Sequence, residues 1–204
     1  MPKSPINEDH HLVSFYINVD GTRIKDTVEV MSISIELDHS GIQLAEVSIR
    51  DGYGDIPFEV TQSGEFKLGR KIEIGLGYMS KETKVFSGTI VSNDVEQHEK
   101  KGIVLTIDSI GKSSNVEDNA GAASGLKLTY GFDVMDFHLS RYQNELDGNE
   151  TTTEGALLFN GSHLAEPGKS IDLDGFAVQY NGTYDIKQVH HLVSDGQWTT
   201  EIEI

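Results

Sequence analysis

An all-β chain built as two tandem β-barrels, the second a copy of the first, is the fold these 204 residues predict. Three observations carry the prediction. Nearly every apolar stretch alternates with period two, the mark of half-buried strands. Gly, Asn, Asp and Pro signals punctuate these stretches at short intervals. A stretch of the second half also repeats a stretch of the first, and self-similarity of this kind decides the architecture before any single element does.

The repeat is readable residue by residue. FKLGRKIEIGLGY at 66–78 matches AEPGKSIDLDGF at 165–176, with a turn at Gly69 and at Pro167-Gly168 before a short alternating strand. VFSGTIV at 85–91 matches QYNGTYDI at 179–186, placing Gly88 and Gly182 among the structural turn glycines. Gly102 and Gly196 each follow fourteen residues later and open a last strand.

In chain order, LVSFYINVD at 12–20 alternates into Gly21. In VEVMSISIEL at 28–37, Val28, Val30, Ser32, Ser34 and Glu36 share one face, and Met31, Ile33, Ile35 and Leu37 the other. AEVSIRD at 45–51 leads into DGYGDIP, a turn or functional loop. KIEIGLGY, KVFSGTIVSNDVEQ and IVLTIDSI complete about six strands, enough to curl into a barrel. A sandwich is the competing arrangement. GKSSNVEDNAGAASG at 111–125 has linker composition. The chain therefore divides into a first barrel at 1–110, the linker 111–125 and a second barrel at 126–204. LKLTYG, DVMDFHLSRYQ, TTTEGALLFNG, KSIDLDGF, GTYDIKQVHHLVS and QWTTEIEI supply the second set. Helix is expected only as a short turn near Phe58–Ser63 and a weak segment near Val134–Asn144.

Composition narrows the function. The net charge of −17, with 16 scattered Lys and Arg, is wrong for gripping a phosphate backbone, so nucleic acid is not expected as a partner. The hydrophobic fraction of 37 % is too high for a disordered chain. No apolar run approaches a membrane span, and MPKSPINEDHH has no apolar core of a signal peptide. Without cysteine there are no disulfides or thiolate nucleophiles.

Searches for reactive constellations return little. His10-His11 and His190-His191 are adjacent pairs, and adjacent strand residues face opposite ways, so neither pair makes a metal site. One of His190 and His191 is expected inside, the other in solvent. HExxH and GxSxG are absent, and Gly75-Leu76-Gly77 lacks the rest of a nucleotide fingerprint. Asp172/Asp174 and Glu201/Glu203 read as solvated strand faces, and DGYGD at 51–55 lacks calcium-loop spacing. Trp198 reads as a packing residue. No cofactor is expected.

Assembled, these motifs resemble the VgrG and contractile-tail baseplate hub family. VFSGTIVS, between LGRKIEIGLGY and GIVLTIDSI, is similar to that family's first barrel. The order PGKSIDLDGF, NGTY, VHH and GQWTTEI, over Pro167–Phe176, Asn181–Tyr184, Val189–His191 and Gly196–Ile202, is similar to its last. Family members carry a larger middle region where this chain has 111–125, and a needle that these residues do not include.

The resemblance implies two tail-tube-like barrels in a non-enzymatic hub or spike base of a type VI secretion system, extracellular injection particle or phage tail. Its partners would be two further copies in a homotrimer, tail-tube subunits and a spike or needle-tip protein, with no direct membrane anchor. Assembly would occur in the bacterial cytoplasm, followed by secretion or incorporation into the particle. Tyr53, Phe58 and Phe66 are the expected inter-subunit contacts. The rival readings are an acidic β-sandwich that binds carbohydrate or protein, and a hydrolase using paired carboxylates.

Overall fold

A computed structural model describes residues 12–53, 56–112, 121–144 and 150–204. In the first half lie β1 (Val13–Val19), β2 (Thr22–Arg23), β3 (Val30–Asp38), β4 (Ile42–Arg50), β5 (Gly52–Tyr53), β6 (Ile56–Pro57), α1 (Glu59–Ser63), β7 (Lys71–Tyr78), β8 (Lys81–His98) and β9 (Gly102–Lys112). The second half holds β10 (Ala123–Thr129), β11 (Val134–Asn144), β12 (Glu150–Asn160), β13 (Ser170–Asp174), β14 (Gly182–Asp185), β15 (Gln188–Ser194) and β16 (Gln197–Glu203). The all-β class holds.

Alternation does the local work. Along β3, Ile33, Ile35 and Leu37 are buried while Glu36 points to solvent, as period two dictates. Asp195-Gly196 joins β15 to β16 with φ of 52° and 75°, the paired positive angles of a tight hairpin turn. At Gly161 a side chain is excluded, since a Cβ would lie 2.0 Å from the Trp198 ring.

Eleven strands form one sheet in the order β11-β12-β16-β15-β3-β4-β9-β8-β7-β1-β2. A second sheet runs β10-β13-β14, and β5 pairs with β6. The expected repeat reappears as topology. The first half reads β3-β4-β9-β8-β7-β1; the second reads β11-β12-β16, then β15 and β14 in place of β8, then β13-β10. The hydrogen bonds repeat as well. Gly69 N–H donates to Ile90 O at 2.8 Å and Ile90 N–H to Arg70 O at 3.0 Å. Gly168 N–H donates to Ile186 O at 2.8 Å and Ile186 N–H to Lys169 O at 2.8 Å. Gly69 and Gly168 share φ values of 83° and 84°.

Even a bulge is duplicated. In β3 the register skips Met31 between Val30↔Ile49 and Ser32↔Ser48; in β11 it skips Met135 between Val134↔Phe159 and Asp136↔Leu158. The outermost strands differ, because β1 runs antiparallel to β7 whereas β10 runs parallel to β13.

Several expectations change. Val134–Asn144 is not helical: its ladder to β12 runs to Asn144↔Glu150 and fixes it as a strand. The two halves are not separately closed, because β15 pairs with β3 from Gln188↔Asp38 to Ser194↔Ser32 and makes one sheet of both. One buried core accordingly draws residues from both halves. The linker expected at 111–125 is strand at both described ends, in β9 and β10, and 113–120 lies outside the described residues. Gly88 and Gly182 sit within strands and not at turns. Gly88 is needed there because a Cβ would meet Ile110 O at 2.7 Å.

Candidate functional site

The residues picked out for chemistry are occupied structurally. Asp51, fully buried, accepts hydrogen bonds from Val60 N (2.7 Å), Thr61 N (3.2 Å) and Thr61 Oγ1 (2.5 Å), so its carboxylate caps α1. Asp172 accepts a bond from Thr183 Oγ1 at 2.7 Å, and Asp174 pairs with Lys127 Nζ at 2.7 Å. That ammonium holds the Asp174 carboxyl below the usual range. Among the described residues, no group of three or more His, Cys, Asp or Glu is arranged to hold a metal. His10-His11 lies outside the described residues.

His190 and His191 divide as strand geometry requires. His191 is buried beside Trp198, its Nδ1 sharing a hydrogen bond of 2.9 Å with Thr200 Oγ1. Burial, with His190 and His163 nearby, pushes its pKa down to about 3. His190 stands on the outer face, with Nε2 2.8 Å from Ser34 Oγ. It is flanked directly across strands by Glu36 and Glu201. On the same face Glu46 lies directly opposite Asp108, a like-charge pairing that costs stability in a sheet. Trp198 packs in the core against Tyr78 of the first half, ring centres 5.2 Å apart.

What the fold leaves unsatisfied is strand edge. β8 changes partners along its length: up to Thr89 it pairs with β7, and from Gly88 to His98 with β9. Among the described residues, no strand covers β8 beyond Ile90 on the side away from β9. None covers the outer side of β11, the terminal strand of the large sheet. Long uncovered edges are templates for pairing with another chain. Both carry exposed apolar side chains, Val91 and Val95 on β8 and Met135 and Phe137 on β11.

The three contact residues expected from sequence are not brought together on these edges. Phe66 is only 3 % exposed and packs in the core, which removes its side chain from any contact. Phe58, at the start of α1, is exposed with φ of 63°. Tyr53 pairs with Ile56 in the β5–β6 ribbon. An aromatic cluster went unread: Tyr130, Phe137 and Phe176 meet with ring centres 5.2–5.6 Å apart, beside Phe132 at 72 % and Val178 at 87 % exposure. The signal that could have located β11 is the repeated Val-Met pair, Val30-Met31 and Val134-Met135.

Comparison with known proteins gives this edge geometry a context. The family model described as the Alg8 N-terminal domain matches residues 9–119. No curated protein matches the chain in sequence. In structure, it is similar to the 43 kDa tail protein of prophage MuSo2 from Shewanella oneidensis, with a TM-score of 0.60 at 8 % identity, covering 93 % of this chain and 95 % of that one. It is also similar to the tail protein from Neisseria meningitidis MC58, with a TM-score of 0.62 at 8 % identity over 95 % and 96 % of the two chains. An E. coli component of the type VI secretion system aligns with a TM-score of 0.56 at 8 % identity, over 92 % of this chain and 75 % of that one. The fold is that of the phage tail and VgrG-related proteins.

Proposed function

We propose that this chain, which belongs to the Alg8 N-terminal domain family, is a structural hub of a contractile injection system, a reading that its tail-protein fold supports. In this reading three copies form a ring that adapts a six-fold tube to a three-fold spike. The observation that carries it is the duplicated strand order, down to the matched Gly69/Gly168 hydrogen bonds. One chain thereby presents two equivalent units, and three chains present six. The open edges of β11 and of β8 beyond Ile90 supply the head-to-tail contacts a closed ring requires. The role is architectural and not catalytic. The partners are tail-tube subunits on one side and a spike or needle-tip protein on the other. The particle assembles in the bacterial cytoplasm and carries the hub outward.

Sedimentation of the purified protein, alone and with tube subunits, tests the reading. A trimer in either condition is expected, with three-fold rings in electron micrographs. A chain that stays monomeric and binds no tube subunit would remove it.

A further inference from the structure

Within one chain the halves are joined by β15 against β3. The duplication makes the outer side of β8 beyond Ile90 the counterpart of β15, because Ile90 and Ile186 occupy the same bonded position. It makes β11 the counterpart of β3, because the bulges at Met31 and Met135 coincide. The joint inside the chain thus has an unjoined counterpart made of the two open edges. Resting on the hub reading, we infer that β11 of one copy adds to β8 of the next as an antiparallel strand, in the register that sets His138 opposite Glu96.

That register follows from counting. Ser92 takes the place of Gln188, since Ser92↔Asp108 stands where Gln188↔Glu203 does, and Ser34 corresponds to His138 through the β4 and β12 ladders. Transferring Ser34↔Leu192 gives His138↔Glu96, and its neighbours become Asp136↔His98 and Leu139↔Val95. The transferred pairs suit one another chemically, although nothing in the counting used side chains. Glu96 and His98 are already 3.3 Å apart on β8. Asp136 and His138 would complete a square in which each imidazole faces a carboxylate. Leu139, packed against the core, would extend apolar contact to Val95, which is 40 % exposed. Competing registers fare worse. A slip of two residues one way sets Glu96 against Asp136, two like charges directly opposite, which destabilise a sheet; the other way sets His98 against His138 and breaks both imidazole–carboxylate pairs. A slip of one turns Leu139 to the charged face.

The chain has no cysteine, which makes a disulfide test clean. Two double variants, Glu96→Cys with His138→Cys and Val95→Cys with Leu139→Cys, place thiols at adjacent predicted pairs. One of the two falls at the closer cross-strand spacing. A third, Glu96→Cys with Asp136→Cys, is shifted by two residues; such diagonal neighbours lie about 7–8 Å apart, beyond ordinary disulfide reach. Each protein is oxidised, denatured and run without reductant, alongside sedimentation of the unmodified chain. Cross-linked multimers ending at a closed trimer, from at least one predicted pair and not from the shifted pair, are the expected result. Equal or better cross-linking of the shifted pair overturns the register. A sedimenting trimer that no predicted pair cross-links overturns the edge pairing and leaves the hub reading standing. A monomer that neither cross-links nor binds tube subunits overturns both.

Discussion

Single residues show how this fold spends its polar groups on structure. α1 has no capping side chain of its own, since Phe58 stands at the position before its first turn. Asp51 supplies the cap instead, from nine residues before Val60. Asp51→Ala leaves the buried Val60 N–H and the two Thr61 donors without their acceptor, and about 1–3 kcal/mol of stability should go. A urea titration reads this as a lower midpoint with unchanged slope. A wild-type midpoint would show that the cap contributes nothing. His191 sets the acid limit. Its pKa in the folded chain is about 3, against an ordinary 6.5, so the unfolded chain binds a proton first as pH falls. Stability is level above about pH 6.5 and declines below it by about 1.4 kcal/mol per pH unit. Carboxylates held low by partners, such as Asp20 hydrogen-bonded by Arg70, add their loss only at lower pH, in the carboxylate range. His191→Leu should flatten the slope between about pH 6 and pH 4.5. An unchanged slope would assign the acid sensitivity elsewhere.

At the scale of elements, strands and hairpins were legible because alternation and turn residues are local. β3 follows its predicted faces from Ser32 to Leu37, while the bulge at Met31 turns Val28 and Val30 toward the core, and Gly196 opens the last strand as expected. The repeat 66–78 against 165–176 was legible too, and its turn at Gly69 and Gly168 holds to the hydrogen bond. β11 was legible only as one of two readings. DVMDFHLSRYQ counts as a strand, yet Met135, Leu139 and Tyr142 stand at i, i+4 and i+7, spacing that a helix also accepts, and only the ladder to β12, distant from any local window, decides for strand. Phe66 misled for a related reason: an aromatic residue in a Gly-rich surround reads as exposed, whereas the fold brings the Asn93 side chain onto its carbonyl at 2.6 Å and buries its ring. The candidate site fared worst, because an open edge is defined by the strand that does not arrive. The sequence contains β8 and β11; that neither finds a partner beyond these limits among the described residues appears only once the other described strands have been placed.

For the whole molecule, the junction of β15 with β3 changes what the two halves are. Two barrels tied by a linker would unfold as separate units, each with its own stability. Here the large sheet crosses from one half to the other, and Trp198 of the second half packs on Tyr78 of the first, whose hydroxyl donates to Trp198 O at 3.4 Å. Opening either half exposes apolar surface of the other, so the halves should melt as one cooperative unit. Trp198 is the sole tryptophan, and its fluorescence reports this seam while far-ultraviolet circular dichroism reports the strands of both halves. In a urea titration the two signals should trace a single coincident transition. If dichroism falls in two steps, with fluorescence following only one, the halves are thermodynamically separate. The seam would then be a contact between independent domains, too weak to serve as the pattern for joining one chain to the next.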